Sequence, residues 1–196
     1  MNSASSLAFA RALRTVFLDR DGVLNEKMPE GAYVTRWEEF QVLPGAVGAL
    51  GRLRQAGLRL IVVSNQRGIA RGLYSARDVE AIHARFQQLL ESHGAQIDAF
   101  LICPHDQGQC NCRKPLPGLF EQAAARFEGV TAATSVMIGD SLSDITFARG
   151  LGMPALLIKG DRERPRRGAG EARALADAVF GSLAEAADAL LRARRE

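Results

Sequence analysis

Cysteine is scarce in this chain: 196 residues contain three, and two of them are a single position apart. That number cannot build a disulfide framework, and nothing in it calls for an oxidising compartment. Long hydrophobic runs are missing as well. No apolar stretch approaches the about 20 residues that span a bilayer, so no membrane partner is expected. The first 14 residues carry Ser and Arg but no acid and no secretory-type apolar run. Residues 1–14 are therefore expected to be a flexible N-terminus of a cytoplasmic protein, and 15–196 a single domain. Low-complexity tracts and internal repeats are also lacking. A net excess of either charge is nearly absent overall: 25 basic residues face 22 acidic ones, a net +3. The excess is local, with five arginines against two glutamates between Arg162 and Arg173. A nucleic-acid binder spreads basic charge over a face, so no nucleic-acid partner is expected and Arg162–Arg167 reads as a solvated loop.

Hydrophobic residues make up 47% and charged residues 24%, enough to build a packed core. Short, continuous apolar runs read as strands buried on both faces: Thr15–Asp19, Leu58–Ser64, Ile97–Cys103, Ser135–Gly139 and Ala155–Lys159. Amphipathic segments alternate with them: Ala46–Gln55, Ala76–Ser92, Gly118–Phe127, Leu142–Arg149 and Leu183–Arg192. Ser75 is placed to cap the longest helix. The alternation predicts a Rossmann-like, doubly wound α/β fold with a parallel sheet, whose ligand sits at the carboxyl ends of the strands.

Those ends carry acids and a hydroxyl. The first strand runs into Asp19-Arg20-Asp21-Gly22, the second into Ser64-Asn65-Gln66, the fourth into Gly139-Asp140-Ser141, with Asp144 one helical turn on. Arg113 and Lys114 precede the third predicted helix. Carboxylates converging on one sheet edge repel each other and need a cation, and an all-oxygen donor set suits Mg²⁺. A lysine and a hydroxyl beside that ion suit a phosphoryl group. Two acids two positions apart can divide the labour, one attacking phosphorus and the other moving the proton.

The four motifs, Asp19-x-Asp21-Gly-Val, Ser64, Lys114 and Gly139-Asp140-Ser-x-x-Asp144, resemble those of the haloacid dehalogenase superfamily, in that order, over roughly Thr15 to Lys159. The resemblance implies a phosphatase working through an aspartyl-phosphate. Asp19 is then the nucleophile and Asp21 the general acid/base; Ser64 and Lys114 hold the phosphoryl oxygens. Asp19, the Asp21 carbonyl and Asp140 bind Mg²⁺, with Asp144 supporting them from behind.

Cys103-Pro-His105 and Cys110-Asn-Cys112 place four soft or borderline ligands within ten residues, enough to close a tetrahedral Zn²⁺ site with no open position. Such an ion would be structural and would stiffen the loop that delivers Arg113 and Lys114. A nucleic-acid zinc knuckle would need interleaved aromatics that the loop lacks. Followed at once by Arg-Lys-Pro, the loop is similar to a branch of the superfamily acting on small phosphorylated metabolites, sugar bisphosphates among them. That likeness implies substrate contacts from Asn65, Gln66, Arg67 and Arg113, and Tyr33 is carried as a stacking residue. The segment Glu26–Ala32 matches no motif and receives no role. Asn25 to Pro44 has room for a flap only, so a capless enzyme with an open site is expected. A monomer is expected as well, with a phosphorylated sugar as its partner. The competing substrates are a monophosphate bearing a cationic imidazole and a nucleic-acid 3′-phosphate; a non-catalytic phosphoryl-binding module is the competing class.

Overall fold

A strand covered on both faces is apolar along nearly its whole length, and three strands of this chain are buried throughout: TVFL, SVMIG and ALLI. The computed structural model describes residues 5–29, 31–159 and 168–195. Along the chain run β1 (Thr15–Leu18), α1 (Ala46–Gln55), β2 (Arg59–Asn65), α2 (Ala76–Glu91), β3 (Ala99–Cys103), α3 (Gly118–Arg126), β4 (Ser135–Gly139), α4 (Leu142–Gly150), β5 (Ala155–Ile158), α5 (Ala169–Leu175), β6 (Ala178–Phe180) and α6 (Leu183–Ala193). The strands form one sheet in the order β3-β2-β1-β4-β5-β6, every neighbouring pair parallel. This is the dinucleotide-fold order, in which the chain reverses direction across the sheet beside β1 and leaves a crevice at the carboxyl ends.

Alternate strand residues feed opposite cores. Val16, Leu18, Leu60, Val62 and Ile138 pack with α1, α2 and α6. Phe17, Ile61, Val63 and Met137 face the other way, onto α3, α4 and α5. Phe17 is fully buried, so Phe17→Ala would cost about 3–5 kcal/mol by the usual cavity cost. Ser75 caps α2 as expected: its hydroxyl accepts from the Asp78 N–H, and the Asp78 carboxylate accepts from the Ser75 N–H in return.

The structure departs from the expected fold, or adds to it, in three places. Residues 5–12, expected to fray, form a 3-10 segment. Leu7, Ala10 and Leu13 are buried in the core that α6 completes. The segment kinks at Leu7, whose φ of -112° and ψ of 19° are not helical, so no single helical period marks its buried face in the sequence. His83 lies on the inward face of α2 beside Val79, Ile82 and Phe86, and its ring stacks on Phe100 at 4.3 Å. The sheet also gains α5 and the three-residue edge strand β6, too short and too exposed to announce themselves. The Arg162–Arg167 loop lies outside the described residues.

Between β1 and α1 the chain makes a flap with a single 3-10 turn, Trp37–Glu39. Trp37 stacks on Phe40 at 5.5 Å and Phe40 meets Phe86 of α2 at 5.0 Å, which pins the base of the flap. No described helix is long and apolar enough to cross a membrane.

Candidate active site

The carboxyl ends of β1, β2 and β4 open into a pocket of about 310 Å³, roofed on one side by flap residues that include Lys27, Met28, Tyr33 and Val34. The turn after β1 depends on Gly22, whose φ of +94° lies in the region that side chains avoid. Asp19, at the end of β1, points at Lys114, whose Nζ donates to its Oδ1 at 3.0 Å and to the Val63 carbonyl at 2.6 Å. The same ammonium lies 2.6 Å from Oδ1 of Asp144, at an angle poor for a hydrogen bond, so charge rather than directionality joins them. The other oxygen of Asp144 accepts the Asp140 and Ser141 N–H groups at 3.2 and 3.0 Å at the start of α4. Gly139 makes this possible: a Cβ there would lie 2.2 Å from that of Asp144.

Asp19, Asp140 and Asp144 each bring an oxygen within 4.8 Å of the others, all of them buried. Burial and the neighbouring Asp144 charge push the Asp19 carboxyl above its ordinary range, against the pull of Lys114 and Lys27. For Lys114, burial favours the neutral amine, but Asp144 and Asp19 outweigh it and hold the ammonium. Three clustered carboxylates balanced by two lysines form a hard, oxygen-only donor set, and the residues fit Mg²⁺.

Asp21 sits in a cage. Arg20, itself fully buried, forks onto it with Nε at 3.2 Å and Nη2 at 2.9 Å from Oδ1. Asn25 Nδ2 donates to the same oxygen at 2.9 Å, and Gln66 Nε2 to Oδ2 at 3.1 Å. Burial alone would raise the Asp21 carboxyl, but the Arg20 charge and the bonds from Asn25, Arg20 and Gln66 overcome it and hold it below the ordinary carboxylate range. Gln66 Nε2 also donates to Ser64 Oγ at 2.8 Å, while its Oε1 accepts from the Tyr74 hydroxyl at 2.8 Å. Tyr74 fills the space above Gly68, where a Cβ would lie 2.1 Å from its ring.

The expected substrate contacts fall into two groups. Arg113 and Tyr33 line the pocket, Tyr33 with its ring 5.8 Å from that of Tyr74. Asn65 and Gln66 line it too, but their amides are committed. Asn65 brackets the Lys114 peptide with two bonds of 3.0 Å, and Gln66 holds Asp21 and Ser64. Arg67 is outside the pocket lining and donates to Asp106 at 2.5 Å. Sequence reasoning missed Lys27 altogether. Its Nζ lies 3.0 and 3.2 Å from the two oxygens of Asp140, and only a lysine in an unmatched flap segment could have hinted at it. Arg20, Asn25 and Tyr74 were likewise without assigned roles at the site.

At the end of β3, Cys103, His105, Cys110 and Cys112 gather their donor atoms. Cys103 Sγ is 3.5 Å from Cys110 Sγ and 3.8 Å from His105 Nδ1; Cys112 Sγ is 3.4 Å from both Cys110 Sγ and His105 Nδ1. The edges of a tetrahedron with Zn–S about 2.3 Å and Zn–N about 2.0 Å measure roughly 3.5–3.8 Å, so the four donors fit zinc. Cys112 stands two residues before Lys114, which couples this cluster to the pocket.

With the geometry established, three comparisons bear on it. Residues 111–186 match the HAD-hydrolase-like family model. The chain is 42% identical over 182 residues to the D-glycero-alpha-D-manno-heptose-1,7-bisphosphate 7-phosphatase of Mycobacterium tuberculosis, covering 92% of this chain and 93% of the relative. It is 36% identical over 179 residues to the beta-anomer 7-phosphatase of Pseudomonas aeruginosa, covering 90% and 97%. The crystal structure of D,D-heptose 1,7-bisphosphate phosphatase from B. bronchiseptica, complexed with magnesium and phosphate, superposes with a TM-score of 0.80 at 33% identity, covering 92% of this chain and 99% of that one.

Proposed function

Because this chain belongs to the haloacid-dehalogenase-like heptose-1,7-bisphosphate 7-phosphatases, we propose that it is a magnesium-dependent phosphatase removing the 7-phosphate of D-glycero-D-manno-heptose 1,7-bisphosphate. The observation that carries the reading is the buried Asp19–Lys114–Asp144 cluster beside Asp140, opposite a separately caged Asp21. A phosphatase of this type needs one acid held for attack and another held for proton transfer, and the two sit in different electrostatic surroundings here.

Asp19 attacks phosphorus in line with the leaving sugar oxygen; its carboxylate forms the new P–O bond as the ester P–O bond breaks. Bound Mg²⁺, held by Asp19, the Asp21 carbonyl and Asp140, would neutralise charge on the phosphoryl oxygens. Lys114 and Ser64 face those oxygens, and Lys114 keeps its proton throughout. Asp21 protonates the departing sugar oxygen, then takes a proton from the water that hydrolyses the aspartyl-phosphate. The Arg20 fork favours the basic form at rest, and an arriving phosphate dianion raises the Asp21 carboxyl towards its acid form. Arg113 is placed to grip the remaining 1-phosphate with its guanidinium. A structural Zn²⁺ on Cys103, His105, Cys110 and Cys112 would hold Arg113 and Lys114 in place. The flap and the Cys/His loop leave no room for a cap, and the enzyme acts as a single-domain cytoplasmic monomer.

The test is a kinetic panel of both heptose 1,7-bisphosphate anomers, fructose 1,6-bisphosphate and histidinol phosphate, run with wild type and Asp19→Asn. Heptose bisphosphate should be turned over with the highest kcat/KM, and Asp19→Asn should lose turnover with the fold intact. Preference for histidinol phosphate would overturn the substrate, and wild-type turnover by Asp19→Asn would overturn the nucleophile.

A further inference from the structure

We propose that Lys27 is a displaceable cation: it holds the metal carboxylate Asp140 in the metal-free protein and passes to a phosphoryl oxygen once Mg²⁺ takes its place. The inference rests on the phosphatase reading above and adds a residue that no sequence motif marks.

Lys27 Nζ stands 3.0 and 3.2 Å from the two oxygens of Asp140, so one ammonium engages both. A divalent ion drawing on either oxygen competes with that ammonium, because two cations on one carboxylate repel each other. The two lysines of the cluster differ in their freedom to respond. Lys114 has a side chain 1% exposed and is tied to the Val63 carbonyl as well as to two carboxylates. Lys27 has a side chain 39% exposed and rides on the flap, facing a carboxylate that is fully buried. Its stem is flexible, and its head is a compact charge that can be re-aimed by rotation alone. Once displaced, the ammonium remains in the pocket that Ser64, Lys114 and Arg113 also line. A phosphoryl group bound in that pocket would offer the ammonium a new negative charge. Metal and phosphate would thus bind in order, because the cation needed for the anion is released by the ion that precedes it.

The experiment uses the full-length protein, wild type, Lys27→Met and Lys27→Arg. The first measurement is Mg²⁺ binding by calorimetry with no phosphate present. Lys27→Met should bind Mg²⁺ roughly three- to thirty-fold more tightly, the range expected for releasing a half-exposed ion pair. The second is binding of inorganic phosphate to the Mg²⁺-saturated protein. Lys27→Met should bind it more weakly by a similar factor, and Lys27→Arg should stay near wild type in both. Unchanged or weaker Mg²⁺ affinity in Lys27→Met would show that the lysine does not compete with the metal. Unchanged phosphate affinity would show that it is never handed over. Either result overturns the proposal. Both readouts are equilibrium binding without turnover, so they fail separately from the substrate reading, which stands or falls on the kinetic panel.

Discussion

Lys114→Met removes an ammonium while keeping the length of its stem, and the structure says where the cost will fall. The lost charge faces Asp19 at 3.0 Å and Asp144 at 2.6 Å, with the lysine and Asp144 side chains each 1% exposed. Removing one partner from a buried ion pair costs about 3–5 kcal/mol, a large share of an ordinary domain's stability. Two facing carboxylates can lessen that cost by taking up a proton. A carboxyl whose pKa is raised by folding binds its proton more tightly in the native state, so stability grows as pH falls through that raised value. The raised Asp19 carboxyl already leans this way in the wild type. The destabilisation should therefore be near its full size at pH 8 in EDTA and markedly smaller at pH 5. Saturating Mg²⁺ should restore much of it, since a ligand at a hundred times its Kd adds about 2.7 kcal/mol. Urea unfolding followed by the fluorescence of the sole tryptophan, Trp37, measures all three conditions. The Mg²⁺-loaded variant should still lose about a hundredfold or more in kcat, the usual loss of a charge-stabilising group. An unfolding midpoint equal to wild type in EDTA at pH 8 would refute the electrostatic account of this cluster.

Tyr74→Phe removes the donor that keeps the Gln66 amide from turning over; burial pushes that hydroxyl up to about 12, so it stays protonated under assay conditions. A loss of about three- to tenfold in kcat is expected from one hydrogen bond, and none beyond Gln66→Ala in the double variant; fully additive losses would show that Tyr74 acts elsewhere. Protein purified without chelator should carry about one zinc per chain by elemental analysis, and Cys112→Ser should lose it and raise KM more than it lowers kcat. Zinc-free wild type with full affinity for substrate would remove the ion from the account. Burial holds the His83 imidazole down to about 3, so the folded protein refuses a proton that the unfolded chain accepts near 6.5. That penalty is absent above about pH 6.5 and complete below about pH 3, with a ceiling of roughly 5 kcal/mol. His83→Leu should flatten the stability profile between pH 6.5 and 4, and parallel wild-type and variant slopes would contradict the assignment.

The parallel sheet was legible in the sequence because its strands are buried on both faces, which writes an unbroken apolar run into residues such as LIVVS and SVMIG. The edge strand β6 is three residues long and only partly buried, so it leaves no such run. The N-terminal 3-10 segment and the inward turn of His83 were hidden for a different reason. Each is a surface that becomes interior only when α6, or Phe100, arrives from a distant part of the chain.

At the site, the acids, the hydroxyl, Lys114 and the Cys/His loop could be named from local wording, since their chemistry restricts the residue type at each strand end. What the amino-acid order determined was therefore the chemistry on offer: carboxylates that need a cation, thiolates spaced for a metal, a lysine suited to phosphate. Only the tertiary structure decided how those groups are held. Arg20 grips Asp21, Asn65 serves the Lys114 peptide, Gln66 is locked by Tyr74, and Lys27 reaches Asp140 across 113 positions of sequence. Hydrogen bonds and ion pairs act over about 3 Å of space regardless of separation along the chain, so no local pattern in the sequence records them.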